Sequence, residues 1–151
     1  MKKILMGLGI AFLCIIALLV VLFVFVVSTG TDLDKSSKAY VDQAVPLIVS
    51  SWNPQKLISR VHPEFLNQIP KDDITALFNM CSEKLGKLKE YKGSEGQANI
   101  DFSPRGKTLT AKYRAQASFE KGDAQITINI MQNNGKWQIV GFFVQPKPFA
   151  K

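Results

Sequence analysis

The feature that most constrains this chain is an uninterrupted apolar run near its N-terminus. Residues 4–27 form 24 consecutive positions without a charged or strongly polar side chain. A helix of that length is about 36 Å long, and the hydrocarbon core of a bilayer is about 30 Å thick. The run predicts one membrane-spanning helix, with the lipid bilayer as the partner of residues 4–27. The alternative is a cleaved signal peptide, but its apolar core is usually about 7–15 residues long.

Charge around the run predicts its orientation. Lys2 and Lys3 precede it, and positive charge stays on the cytoplasmic side. We therefore expect an inner-membrane protein with a cytoplasmic N-terminus and a periplasmic or extracellular domain, and slow cleavage after Ser28 or Gly30 stays open. The expected divisions are a cytoplasmic stub, anchor and exit at 1–30, a linker at 31–37, an α+β domain at 38–148 and a tail at 149–151.

Composition excludes several classes of site. The net charge is +7, but between residues 83 and 95 acidic side chains are interleaved with basic ones, which indicates a solvated face rather than a nucleic-acid surface. Cys14 falls in the predicted span and Cys81 in the domain, so no disulfide framework is expected. His62 is the only histidine. No metal site, cofactor or Cys–His pair is predicted.

The first half of the domain has helical periodicity. In residues 38–51 the apolar side chains recur at helical spacing and predict an amphipathic helix with Tyr40, Ala44, Leu47 and Ile48 on its apolar face. Pro46 predicts a kink or break in this helix. Asn53-Pro54 is typical of a helix start, and this second helix is expected to end near His62-Pro63. A third helix is predicted from Pro70 to Gly86. Its expected apolar stripe consists of Ile74, Leu77, Phe78, Cys81 and Leu85.

After Gly93 the period changes to that of β-strands. Strands are predicted at 99–102, 107–120, 124–130 and 137–144, separated by turns that contain glycine. The inward face of the third strand is expected to carry Ala124, Ile126, Ile128 and Ile130. Helices followed by strands indicate an α+β fold, with three helices packed on one face of a curved four-stranded antiparallel sheet. Pro146 and Pro148 are expected to end the last strand.

Three segments resemble a known superfamily. They read SSWNPQKLISRVHPEFLNQIP, FNMCSEKLGKLKEYKG and GKWQIVGFFVQP. Together they resemble the nuclear transport factor 2-like (cystatin-like) superfamily, and in particular small membrane-anchored bacterial envelope proteins, over about residues 36–146. The resemblance implies a cone-shaped sheet that wraps the helices around a cavity. It does not imply one function, because the superfamily includes enzymes, adaptors and secretion-apparatus domains.

A cavity of this kind would be lined by the inward face of the long second strand. The predicted lining comprises Tyr113, Ala111, Ala115, Ala117, Phe119, Phe78 and Trp52. The alanines leave room for an apolar ligand, although aromatic side chains from the helices are an equally simple filling. An isomerase-like enzyme would need a carboxylate there. None falls on the inward positions, and Tyr113 is their only polar tip, so no catalytic residue is assigned.

Two outer surfaces are candidates for contact with a partner. The outer sheet face is polar, and a dimer formed there would be wet; it carries Thr110, Lys112, Arg114, Gln116, Thr127, Asn129 and Met131. On the last strand, Val140, Phe142 and Val144 are predicted to form an exposed apolar strip, unless the helices or the tail cover it.

These patterns favour a non-catalytic binding or assembly module in the cell envelope, with an envelope protein or a second copy as partner. The alternatives are a small enzyme of isomerase or dehydratase type and a carrier of an apolar ligand.

Overall fold

The structure is a computed structural model that describes the backbone of residues 2–147 and the side chains of residues 12–24 and 32–147. The chain divides into two compact units, Met1–Asp34 and Lys35–Lys151. In chain order the elements are α1 (Lys2–Val49), α2 (Pro54–Ile58), α3 (Pro63–Gln68), α4 (Lys71–Leu85), β1 (Leu88–Ser103), β2 (Gly106–Phe119), β3 (Gly122–Asn133) and β4 (Lys136–Lys147).

The predicted membrane-spanning helix is not found in the described structure. In the described part of the chain, no helix has both the length and the apolar character needed to cross a membrane. This finding overturns the predicted transmembrane helix and single-pass anchor. The side chains of residues 4–11 and 25–27 and the predicted tail at 149–151 lie outside the described residues.

Helix α1 also differs from the prediction in its extent. The expected linker at residues 31–37 is assigned to α1, which continues through Pro46 to Val49. Proline removes one backbone donor inside a helix. The helix continues past this position, and the Ser50 N–H donates to the Pro46 carbonyl at 3.0 Å just after its last residue.

The buried stripe of α1 includes the predicted Ala44 and Ile48, but the other two predicted members differ. Leu47 is 42% exposed and Tyr40 is only half-buried. The side chains that enter the core are spaced by three and four residues, as one face of a helix requires. They are Val41, Ala44, Val45, Ile48 and Val49.

Helices α2 and α4 begin where the sequence predicted. The Asn53 side chain caps α2 by accepting from the Gln55 N–H at 3.0 Å, with Pro54 in the first turn. Helix α2 ends at Ile58 rather than near His62-Pro63, and His62 instead caps α3, a short helix that was not predicted. Helix α4 ends at Gly86, whose φ of +76° is costly for other residues. Its buried stripe is Ile74, Phe78, Cys81 and Leu85.

The four strands form one antiparallel sheet in the order β1-β2-β3-β4. Hairpins therefore connect each strand to the next, as predicted. β1 is the large difference, because it starts at Leu88 rather than near Asn99. Its register shifts between Tyr91 and Ser94, so the strand contains an irregularity where the sequence shows no alternation.

One face of the sheet packs on the helices and closes the core. The predicted inward side chains of β2 and β3 are buried, and they include Tyr113, Phe119, Ile126, Ile128 and Ile130. The opposite face of β2 and β3 carries their polar side chains. The α+β fold with a four-stranded antiparallel sheet is thus confirmed, without the transmembrane helix.

Candidate functional site

The side chains predicted to line a cavity lie in the hydrophobic core. All seven are at most 5% exposed: Trp52, Phe78, Ala111, Tyr113, Ala115, Ala117 and Phe119. The Trp52 ring stacks on Phe119 with centroids 5.4 Å apart and meets Phe78 edge-on at 5.6 Å. Aromatic packing of this kind stabilises the core in addition to the burial of apolar area. These residues therefore meet as predicted, but as packing partners.

The polar tip of Tyr113 is engaged with helix α1. Its hydroxyl lies 2.8 Å from the Ser37 hydroxyl, and both residues are buried. A buried hydroxyl needs such a partner, because desolvation without a hydrogen bond costs on the order of 1–3 kcal/mol. The pair therefore explains how the only polar inward side chain of β2 is tolerated in the core.

The predicted apolar strip on β4 is divided by a β-bulge. The register with β3 shifts between Asn129 and Ile130, opposite Val140. Because one extra residue reverses the faces of the residues after it, Phe142 enters the core, and its ring lies 6.1 Å from that of Phe78. Val144 packs against the core and Val140 is half-buried. Phe143 is the exposed side chain, at 54%.

His62 and Cys81 have structural surroundings. His62 Nδ1 accepts from the Glu64 N–H at 3.3 Å and caps the start of α3, whereas the sequence placed His62 near the end of α2. Burial raises the pKa of the Cys81 thiol, and the charge of Lys84 opposes this only in part. Among the residues with described side chains, no three His, Cys, Asp or Glu groups are placed to hold a metal ion.

A groove of about 830 Å³ lies beside the outer face of β1 and β2. We call it the basic groove. It is lined by Lys38, Lys92, Gly93, Ser94, Glu95, Gly96, Gln97, Asn99, Lys112, Arg114, Gln116 and Gln125. Four of these side chains are cationic and one is anionic. Its volume lies within the range of ligand sites, roughly 300–1,000 Å³.

Register explains why the groove collects polar side chains. Arg114 pairs with Glu95 of β1 and Thr127 of β3, and Gln116 pairs with Gln125. Paired residues of adjacent strands point to the same face. All of these lie on the face opposite Tyr113, so one strand supplies both the core and the floor of the groove.

At the rim of the groove, Asp42 of α1 accepts three hydrogen bonds. The donors are the Lys38 ammonium, the Tyr91 hydroxyl at 2.8 Å and the Ser94 hydroxyl at 2.6 Å. Burial alone would raise the pKa of Asp42, but the three donors outweigh it and hold the pKa below its ordinary value. Burial and the neighbouring Asp42 raise the pKa of Tyr91. This Asp42 cluster fastens α1 to the irregular part of β1.

A ladder of glutamines crosses the outer face of the sheet. The Lys147 ammonium donates to Gln116 Oε1 at 2.7 Å, the Gln116 amide donates to Gln125 Oε1 at 3.2 Å, and the Gln125 amide donates to Gln145 Oε1 at 3.5 Å. The cation at one end orients each amide in turn. The ladder fixes the side chains that form the far wall of the basic groove.

Sequence patterns indicated part of this site. The alternation in β2 placed Lys112, Arg114 and Gln116 on the outer face, as the structure has them. The Asp42 cluster and the contribution of Lys38 were missed. The partners of Asp42 on β1 are 49 and 52 residues away in the chain, and the irregular β1 has no periodic pattern that would have revealed them.

No protein-family model, curated protein or solved structure matches this chain. The resemblance to the nuclear transport factor 2-like superfamily therefore stays a prediction that depends on the three quoted segments.

Proposed function

We propose that this protein is a non-catalytic binding module that engages its partner through the outer surface of its sheet. The observation that carries the proposal is the contrast between the two faces of β2. The inward residues, Tyr113 among them, are packed in the core, whereas Lys112 and Arg114 extend from the opposite face into a groove. A partner can reach the second set without unfolding the domain.

The same contrast weakens the two alternatives. An isomerase-type enzyme or an apolar carrier would act inside the sheet, where Trp52, Phe78 and Phe119 pack together. Opening that region would separate these stacked rings. A location outside the cytoplasm and a role in the cell envelope stay predictions of the sequence.

Site-specific photo-crosslinking tests the proposal. A photoreactive amino acid is placed at Gln116 in the groove or at Met80, which is 45% exposed on α4. We expect position 116 to form one discrete adduct with a partner protein, and position 80 to form none. An excess of this protein without the photoreactive residue should compete the adduct away. Equal adducts from both positions would contradict binding through the sheet face.

A second measurement tests the alternatives directly. The sequence contains two tryptophans, so Trp137→Phe leaves Trp52 as the only tryptophan emitter. Trp52 lies in the core beside the predicted cavity, and a fluorescent fatty-acid analogue that entered the core would change its emission. We expect no saturable change. A saturable change with one-site stoichiometry would favour the apolar carrier.

A further inference from the structure

The charges of the basic groove are distributed rather than convergent. They come from three elements: Lys38 from α1, Lys92 from β1, and Lys112 with Arg114 from β2. A single small anion can contact only part of such an arrangement. A ligand with several separated negative charges satisfies more of it, and the volume of about 830 Å³ leaves room for a chain segment.

Two of the four cations are engaged by carboxylates: Lys38 bonds Asp42, and Lys92 lies 4.0 Å from Asp123. The other two, Lys112 and Arg114, are available to a ligand. Among the described residues, no carboxylate lies within ion-pair distance of Lys112 or Arg114, and both are exposed. An arginine presents its donors in a planar fork that matches a carboxylate or a phosphate. Strand β2 therefore supplies the two groups on which an anion would bind.

The rest of the lining distinguishes between kinds of anion. Glu95 lies opposite Arg114 in the register and repels a ligand that offers only negative oxygens. Its carboxylate can instead accept a backbone N–H. The amides of Gln97, Asn99 and Gln125 both donate and accept, as the peptide backbone does. The combination matches a peptide with carboxylate side chains better than a phosphate or sulfate polymer.

The groove lining contains no aromatic side chain among the described residues. Single-stranded nucleic acids are bound largely by stacking of bases on aromatic rings. The groove thus has the positive charge but not the platforms that a nucleic-acid site needs.

We propose that the basic groove binds an acidic peptide segment of a partner protein, with Lys112 and Arg114 as the main contacts for its carboxylates. This inference rests on the proposed function and names the partner chemistry of the same surface. Glu95 is the residue that favours peptide over phosphate.

Binding of a fluorescein-labelled peptide in which Glu alternates with Ser tests the proposal on the full chain, by fluorescence polarisation. We expect saturable binding that weakens as salt rises. The Lys112→Gln, Arg114→Gln double variant should bind roughly tenfold more weakly. A matched double variant, Lys84→Gln with Lys87→Gln, removes the same charge outside the groove and should bind as the unaltered protein does.

Three competitors define the ligand class. A peptide with Gln in place of each Glu should not compete, and short-chain polyphosphate should compete more weakly than the acidic peptide. Vesicles of phosphatidylcholine and phosphatidylserine in equal parts should retain the unaltered protein and the Lys112→Gln, Arg114→Gln variant to the same extent. In the Glu95→Gln variant, the affinity for polyphosphate should rise several-fold relative to the affinity for the acidic peptide.

The results that overturn the proposal differ from those that overturn the proposed function. Stronger binding of polyphosphate or of the vesicles through Lys112 and Arg114 would replace the acidic peptide with another anion, while the sheet face would remain the binding surface. Equal loss of peptide binding in both double variants would mean that net charge alone attracts the peptide. Absence of any discrete adduct at Gln116 would instead remove the proposed function.

Discussion

At the scale of single residues, Asp42 joins helix α1 to strand β1 beside the basic groove. It holds Lys38 on its own helix and Tyr91 and Ser94 on β1. Its pKa lies below the ordinary value of 3.8, so its ionised form favours the folded state. The stability that it adds is present above that value and is lost as the pH falls through the lower folded pKa.

We expect Asp42→Asn to lower the free energy of unfolding by about 1–2 kcal/mol at neutral pH, a figure reduced because the side chain is partly exposed. The difference from the unaltered protein should shrink below about pH 4. Urea unfolding between pH 3 and 7 measures both. Asp123→Asn removes a carboxylate on an exposed part of the sheet and should cost less than about 0.5 kcal/mol. A pH-independent cost of Asp42→Asn would refute the ionised contribution.

Trp52 offers a second test at this scale. It has a φ of +50°, unusual for a bulky residue, and its indole N–H donates to the Gly86 carbonyl at 2.8 Å. Trp52→Phe keeps an aromatic ring but loses that bond and should cost about 1 kcal/mol beyond the smaller ring's lost contacts. Trp52→Ala should cost about 3–5 kcal/mol. Denaturant unfolding followed by circular dichroism compares them, and equal costs would mean that the ring contributes nothing to packing.

At the scale of elements, β1 was the hardest to predict. Only its last residues, 99–102, were recognised as a strand, yet the strand runs from Leu88 to Ser103. Glycines at 93 and 96 and the register shift before Ser94 disrupt the period. Pairing with β2 and the anchor to Asp42 hold this segment in the sheet, and neither contact can be inferred from local sequence.

Gly96 makes a specific prediction for this strand. A Cβ at this position would collide with the carbonyl oxygen of Lys112 and lie 2.8 Å from the Cα of Tyr113. Backbone cannot move aside as a side chain can, so Gly96→Ala should cost about 3 kcal/mol or more. The control is Gly141→Ala, whose Cβ would meet the side chain of Asn129. We expect a clearly smaller cost there in thermal unfolding; equal costs would argue against a close approach of β1 to β2.

Strand β4 was recognised as a strand, but its faces were predicted wrongly. Its apolar residues were recognised, but a single bulge at Val140 moved Phe142 inward and Phe143 outward. A period of two carries no information about where one extra residue is inserted. The predicted interface strip was therefore displaced by one position, and an exposed phenylalanine lies beside residues that were expected to share its face.

At the scale of the whole molecule, stability and binding should be separable along one strand. Tyr113→Phe alters the core, where the hydroxyl contacts Ser37, and should lower the free energy of unfolding by about 1 kcal/mol without changing peptide binding. The Lys112→Gln, Arg114→Gln variant should do the reverse. Unfolding and polarisation measurements on both variants check this. Loss of binding in Tyr113→Phe at unchanged stability would locate the site in the core instead.

Sequence alone determined the order of helices before strands, the starts of α2 and α4, the hairpin turns and the inward faces of β2 and β3. These depend on capping residues, glycines and apolar periods, which are local properties. The apolar run at residues 4–27 was equally plain as a pattern, but among the described residues no helix is long and apolar enough to cross a membrane.

Tertiary structure alone decided the faces of β4, the length of β1 and the place of the candidate site. The predicted cavity residues were brought together, but Trp52 came to lie against Phe78 and Phe119, so the space became core. Lys38 and Lys112, about 74 positions apart, came to line one groove. The physical reason is that packing and strand pairing join residues distant in the chain, and no local pattern encodes which of them will meet.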